Sequence, residues 1–96
     1  MALPDQILDS GVTNSTVSVE FVTPESRIWS GRAKMVSART LEGDIGILPN
    51  HAPLLGALVD GKVVIKAEDG SIAEFEVHGG FLSVANNRVS ILGEAV

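Results

Sequence analysis

The chain has 96 residues, no cysteine and a formal net charge of −5, which fits one small domain and excludes a disulfide-framed secreted scaffold or a thiolate metal site. Its few Lys and Arg residues never cluster, so the electrostatic footprint required for nucleic acid or an anionic lipid surface is missing. No stretch reaches the roughly eighteen consecutive apolar residues of a spanning helix, and the N-terminus carries neither the basic nor the apolar part of a signal peptide, so membrane association is expected only through a partner.

Val, Ile and Thr supply 23 of the residues, and Gly and Pro recur at short intervals from Pro24 onward, which is an all-β rhythm. Residues 1–16 mix polar, Gly and Asp residues and are expected to form a flexible tail, within which Asn14-Ser15-Thr16 is read as a polar turn rather than a glycosylated sequon. Val17, Val19 and Phe21 alternate with Ser18, Glu20 and Val22, predicting a half-buried strand that stops at Pro24. Two further strands are expected over Ile28 to Gly31 and Lys34 to Thr40, separated by a break at Gly31. Leu41-Glu42-Gly43-Asp44 is expected as a turn, Ile45 to Leu48 as a short apolar segment, and Pro49 to Pro53 as a loop stiffened by its two prolines. A strand over Leu54 to Val59 follows.

Asp60-Gly61, Asp69-Gly70 and Asn86-Asn87 supply residue types that accept positive φ, so each is expected to turn a hairpin. The strands between them are Lys62 to Ala67, Ile72 to His78, Phe81 to Ala85 and Arg88 to Leu92. Ala73, Phe75 and Val77 share one face and Glu74 and Glu76 the other, so one side is core and one is wet. The expected fold for residues 17–96 is an antiparallel β-sandwich or flattened barrel of about ten short strands.

Chemistry is poorly represented. Gly56 to Val63 nearly spells a phosphate-binding loop, but Val63 replaces the hydroxyl and no helix follows. No serine sits in a nucleophile elbow, and His51 and His78 are the only imidazoles, so neither catalytic nor metal-ligating residues are assigned. The carboxylate pairs Glu42/Asp44 and Glu74/Glu76 have the spacing of one solvated strand face. Lys34 is weighed as the attachment point of a biotinyl or lipoyl carrier, and Trp29 as either a binding anchor or core.

The stretch Glu42-Gly43-Asp44-Ile45-Gly46-Ile47-Leu48-Pro49-Asn50-His51-Ala52-Pro53-Leu54-Leu55 follows without interruption a pattern typical of the epsilon subunits of bacterial F-type ATP synthases. Trp29-Ser30-Gly31 upstream and Gly79-Gly80-Phe81-Leu82-Ser83-Val84 downstream are similar to two further strands of that family, in the same order. The resemblance runs from about Val17 to Val96. It implies a β-sandwich that binds the gamma subunit and stands on the c-ring, a non-catalytic part of the rotating central stalk that couples proton flow to ATP synthesis, with no cofactor. It further implies a site at the cytoplasmic face of the bacterial plasma membrane, peripheral and held there by the complex.

By the same resemblance Glu42, Gly43, Asp44, Ile45 and His51 form the segment facing the c-ring, with Asp44 at the acidic position and His51 either structural or ring-facing. Trp29 is a candidate gamma contact. The family's C-terminal helical hairpin has no counterpart after Ile91-Leu92-Gly93-Glu94-Ala95-Val96, so neither nucleotide binding nor a helical brake is expected of this chain. A carrier domain and a small co-chaperonin-like ring protein remain as alternative readings.

Overall fold

A computed structural model describes residues 15–94. All regular structure within them is strand: β1 (Val17–Val22), β2 (Arg27–Thr40), β3 (Gly43–Ile47), β4 (Leu54–Leu58), β5 (Gly61–Ala67), β6 (Ile72–Val77), β7 (Gly80–Ala85) and β8 (Arg88–Gly93). Most of the expected tail lies outside the described residues, but Thr16 at its end is buried.

The 14-residue β2 is the spine of the molecule. One of its edges pairs with β1 and then β3, the other with β5 and, at Thr40, with β4. From β4 the pairing continues through β7 and β8 back to β1, so β2, β4, β7, β8 and β1 close into a ring, while β5 and β6 extend from its side. The expected all-antiparallel arrangement fails at one place, because β1 and β8 run parallel. The reason is geometric: neighbours cannot all alternate in direction around a closed ring of five strands, so at least one pair must be parallel.

The all-β class holds, with eight strands among the described residues instead of about ten. Ile28 to Gly31 and Lys34 to Thr40 are one strand. The break in alternation that the sequence shows there belongs to Lys34 rather than Gly31. Ala33 pairs with Ala67 and Met35 with Lys66, so Lys34 is an extra residue on the β2 side, a β-bulge. It reverses the parity of the strand: Ala33 is buried before it, and Val36, Ala38 and Thr40 after it. This lets β2 serve two neighbouring stretches of core with apolar side chains on different phases.

The core draws on all eight strands. Phe21, Leu82, Val84, Val89 and Ile91 meet Val36, Ile47, Val63, Ile65 and Val77, all essentially inaccessible to solvent. The Phe21 ring packs edge-to-face on Phe75, centroids 5.2 Å apart at 80°, a geometry aromatic quadrupoles favour. Asn86 and Asn87 turn the β7–β8 hairpin with φ of 53° and 58°, as their residue type led one to expect. Asp60-Gly61 does not turn a hairpin: β4 pairs with β7 and β5 with β6, so these residues carry the chain from one partner strand of β2 to the next.

Candidate functional site

The β2–β3 hairpin presents the acidic segment. Only Leu41 and Glu42 form the turn; Gly43 and Asp44, expected within it, are already in β3, paired with Thr40 and Arg39. Thr40 closes the hairpin from inside, its buried hydroxyl donating to the Gly43 carbonyl (2.9 Å) and accepting from the Glu42 N–H (3.1 Å). Gly43 takes φ of 117°, a conformation that glycine adopts without steric cost, and a Cβ there would meet nothing.

Asp44 is exposed but not unpartnered. Arg39 stands directly opposite it, Nε donating to Oδ1 at 2.9 Å and Nη2 to Oδ2 at 3.5 Å. That hydrogen bond first, and the guanidinium charge second, hold the Asp44 carboxyl below its usual range. An open groove of about 390 Å³ runs beside the pair, bordered by Ser37, Gly61, Lys62 and Val64. Glu42 and Asp44 are both exposed, and Ile45 turns partly inward against the core.

His51 is not brought to this end. β3 leads away from the hairpin tip for five residues, about 14 Å at strand rise, before the loop that carries His51. In that loop the His51 N–H reaches the Leu48 carbonyl (3.2 Å), and Nδ1 lies 2.7 Å from the Ala52 carbonyl oxygen. Asp44 and His51, neighbours in one sequence motif, therefore occupy opposite ends of a strand.

Trp29 faces Phe21 across the β1–β2 pair and packs against the core while remaining partly exposed. Its ring lies along its own strand over Gly31, where a Cβ would come within 3.2 Å of Cη2. Lys34 stands exposed at the bulge inside β2, not at a hairpin tip. Among the described residues no three His, Asp or Glu side chains gather to hold a metal, and no helix is long and apolar enough to cross a membrane.

A second surface was not apparent in the sequence. Strand register aligns Val22, Leu92, Phe81 and Ala57 in a row across β1, β8, β7 and β4. All four lie on the outer side, Phe81 being 55% exposed, and Val22, Phe81 and Leu92 border a shallow groove of about 220 Å³. Leu41, 74% exposed, donates its N–H to the Ala57 carbonyl (3.0 Å) and extends the row to the hairpin turn. Leu55, 76% exposed, adjoins the row from the next outward position of β4. The sequence carries one hint of this surface in the doublets Phe81-Leu82 and Ile91-Leu92, where strict alternation would place a polar residue on the wet side. The alignment itself appears only once the register of four strands is known.

The comparisons with known proteins agree with this architecture. A family model described as "ATP synthase, Delta/Epsilon chain, beta-sandwich domain" matches residues 16–96. A protein named ATP synthase epsilon chain from Streptomyces avermitilis is 50% identical over 76 residues, covering 79% of this chain and 61% of that one. Its namesake from Micrococcus luteus is 52% identical over 75 residues, covering 78% and 82% respectively. In the cryo-EM structure of the Euglena gracilis mitochondrial ATP synthase, described as OSCP/F1/c-ring in rotational state 1, one chain superposes with a TM-score of 0.79 at 25% identity, over 85% of this chain and 53% of that one. This chain thus spans between about half and four fifths of the length of these relatives. It belongs to the delta/epsilon family of ATP synthase chains, whose β-sandwich domain it comprises.

Proposed function

We propose that the chain is a non-catalytic subunit of the central stalk of an F-type ATP synthase, linking the gamma subunit to the c-ring and coupling proton-driven rotation to ATP synthesis. The observation that carries this reading is the identity of about half of the 75 to 76 aligned positions with proteins named ATP synthase epsilon chain. The geometry suits it: a closed, stiff β body offers two adjoining surfaces of different chemistry, a charged hairpin tip and an apolar row. We assign Glu42, Gly43, Asp44 and Ile45 to the c-ring contact, where Asp44 and Glu42 accept charge-assisted hydrogen bonds from basic or amide groups of the ring's polar loops. The row from Val22 to Leu41 is assigned to gamma, because a contiguous exposed apolar surface is the ordinary mark of a protein contact. Trp29, packed beside Phe21, supports that face from within. His51 lies at the far end of β3 and is assigned to its own loop rather than to the ring.

Within the complex the chain is peripheral, on the cytoplasmic side of a bacterial plasma membrane. The carrier reading has less support, since Lys34 is at a bulge in mid-strand. The test mixes this chain with the gamma subunit from the same source and measures the mass of the eluted species by light scattering after gel filtration. A one-to-one complex is expected; two separate, folded species would overturn the assignment.

A further inference from the structure

At the end of the molecule opposite the hairpin tip, one side chain bonds to two other segments of the chain. Asn87, half-buried in the β7–β8 turn, donates from Nδ2 to the Thr16 carbonyl (2.9 Å) and accepts at Oδ1 from the Asn50 N–H (2.8 Å). Only one orientation of the amide satisfies both contacts, since one needs a donor and the other an acceptor. Thr16 is further held by Arg32, whose Nε donates to its hydroxyl (2.7 Å) and Nη2 to its carbonyl (3.2 Å). One amide group thus joins three segments that lie 71 and 37 residues apart: the entrance of β1, the β7–β8 turn and the loop before β4. Asn50 itself has φ of 65°, in the left-handed region that asparagine accepts more readily than most residues, and the Asn87 side chain takes up its N–H. The loop leads directly into Leu55, which adjoins the apolar row.

We propose that Asn87 is a positioning residue for the gamma-docking face, pinning the Asn50–His51 loop to the β7–β8 turn through the Asn50 N–H so that the end of β4 next to the row is held in its docking shape before gamma arrives. The inference rests on the assignment of the apolar row to gamma. Its physical content is preorganisation: a loop fixed in advance loses less conformational freedom on association.

Two variants separate the halves of the amide. Asn87→Gly keeps the positive-φ turn and removes both contacts. Asn87→Asp also tolerates the turn, keeps an acceptor for the Asn50 N–H and loses the donor to Thr16. Amide exchange at Asn50, thermal stability and affinity for gamma are measured for each. In Asn87→Gly, Asn50 exchange is expected to rise and gamma affinity to fall, each about tenfold, a loss that preorganisation alone can account for. In Asn87→Asp, both are expected to return to within about threefold of wild type, although the melting temperature falls at least as far as in the glycine variant. Affinity that follows stability instead of Asn50 protection, or unchanged Asn50 exchange in Asn87→Gly, overturns the proposal. Phe81→Glu is the control for the underlying assignment: if it leaves gamma affinity intact, the assignment of the row has failed, whatever Asn87 does to the loop.

Discussion

Arg39 and Asp44 face each other directly across the β2–β3 hairpin, with Nε 2.9 Å from Oδ1, so the carboxylate assigned to the ring contact is already engaged within its own chain. Both side chains are more than half exposed, and ion pairs in such positions add little to stability and are screened by salt. Orientation is the more consequential effect. A five-donor guanidinium opposite the carboxylate sets where its free lone pairs point, and an approaching cation or amide has to share the carboxylate with Arg39.

Removing Arg39 should therefore be visible in the titration of Asp44. Its carboxyl is held low by the Arg39 hydrogen bond first and the Arg39 charge second, so Arg39→Ala is expected to raise its midpoint toward the ordinary aspartate range. Because the folded value is depressed, the pair's contribution is complete above the unfolded carboxylate value and is lost as pH falls through the folded one. It is intact at neutral pH and fails only in acid. A carbon-detected carboxyl titration of both proteins measures this; superimposable curves for Asp44 would show that the contact does not persist in solution.

Much of this was legible in the sequence, for reasons specific to particular residues. The β7–β8 turn followed from two adjacent asparagines, and the core side of β1 and β6 from strict alternation. What alternation could not give was parity across the Lys34 bulge, since an inserted residue reverses every later inward position while leaving each half of the strand locally regular. The pairing of Arg39 with Asp44 was hidden behind the length of the turn: with Leu41 and Glu42 alone at its tip they are cross-strand partners, and with a four-residue turn they are not. The Val22 to Leu41 row was out of reach, because it collects single residues from segments whose lateral order depends on ring closure. The resemblance of residues 42–55 to one family indicated identity, yet it grouped His51 with Asp44, which β3 separates.

Two glycines with positive φ should respond differently to alanine. At Gly80 (φ 131°) a Cβ would run into the Leu92 carbonyl oxygen, which cannot move without disturbing the β7–β8 ladder. At Gly43 (φ 117°) a Cβ would stand in open space, leaving only backbone strain. Gly43→Ala is expected to cost about 1–2 kcal/mol, whereas Gly80→Ala should cost about 3 kcal/mol or more, as strain and overpacking combine. Urea denaturation of each variant decides it; equal losses would show that the Leu92 carbonyl yields.

Phe21 is the one large aromatic side chain fully removed from solvent, in edge contact with Phe75 and with its ring against Gly93. It joins β1 to β6 and β8, so Phe21→Ala leaves a cavity that the β-sheet backbone around it cannot close. A loss of about 3–5 kcal/mol is expected, a large part of the roughly 5–15 kcal/mol that stabilises a typical domain. Phe75→Ala, at a partly exposed position, should cost distinctly less. Thermal unfolding followed by circular dichroism compares the two, and a Phe75 variant as damaged as the Phe21 variant would move the centre of the core toward β6.

The two surfaces should also separate functionally. Phe81 stands in the middle of the apolar row with its ring outward, so Phe81→Glu places a charge where gamma would have to desolvate it, yet removes little that is buried in the free chain. Gamma affinity is expected to fall at least tenfold, consistent with the loss of a central aromatic anchor, while the melting temperature stays within about 3 °C, as for a surface change of under half a kcal/mol. Asp44→Lys should do the reverse of this in the assembled enzyme. It reverses the charge at the hairpin tip, so ATP-driven proton pumping should fall relative to ATP hydrolysis while the isolated chain still binds gamma normally. Titration calorimetry with gamma, and acidification of vesicles carrying the reconstituted enzyme, read the two effects independently. If Asp44→Lys weakened gamma binding as much as Phe81→Glu does, the hairpin tip and the row would be one continuous gamma interface, and the ring contact would have to lie elsewhere on the molecule.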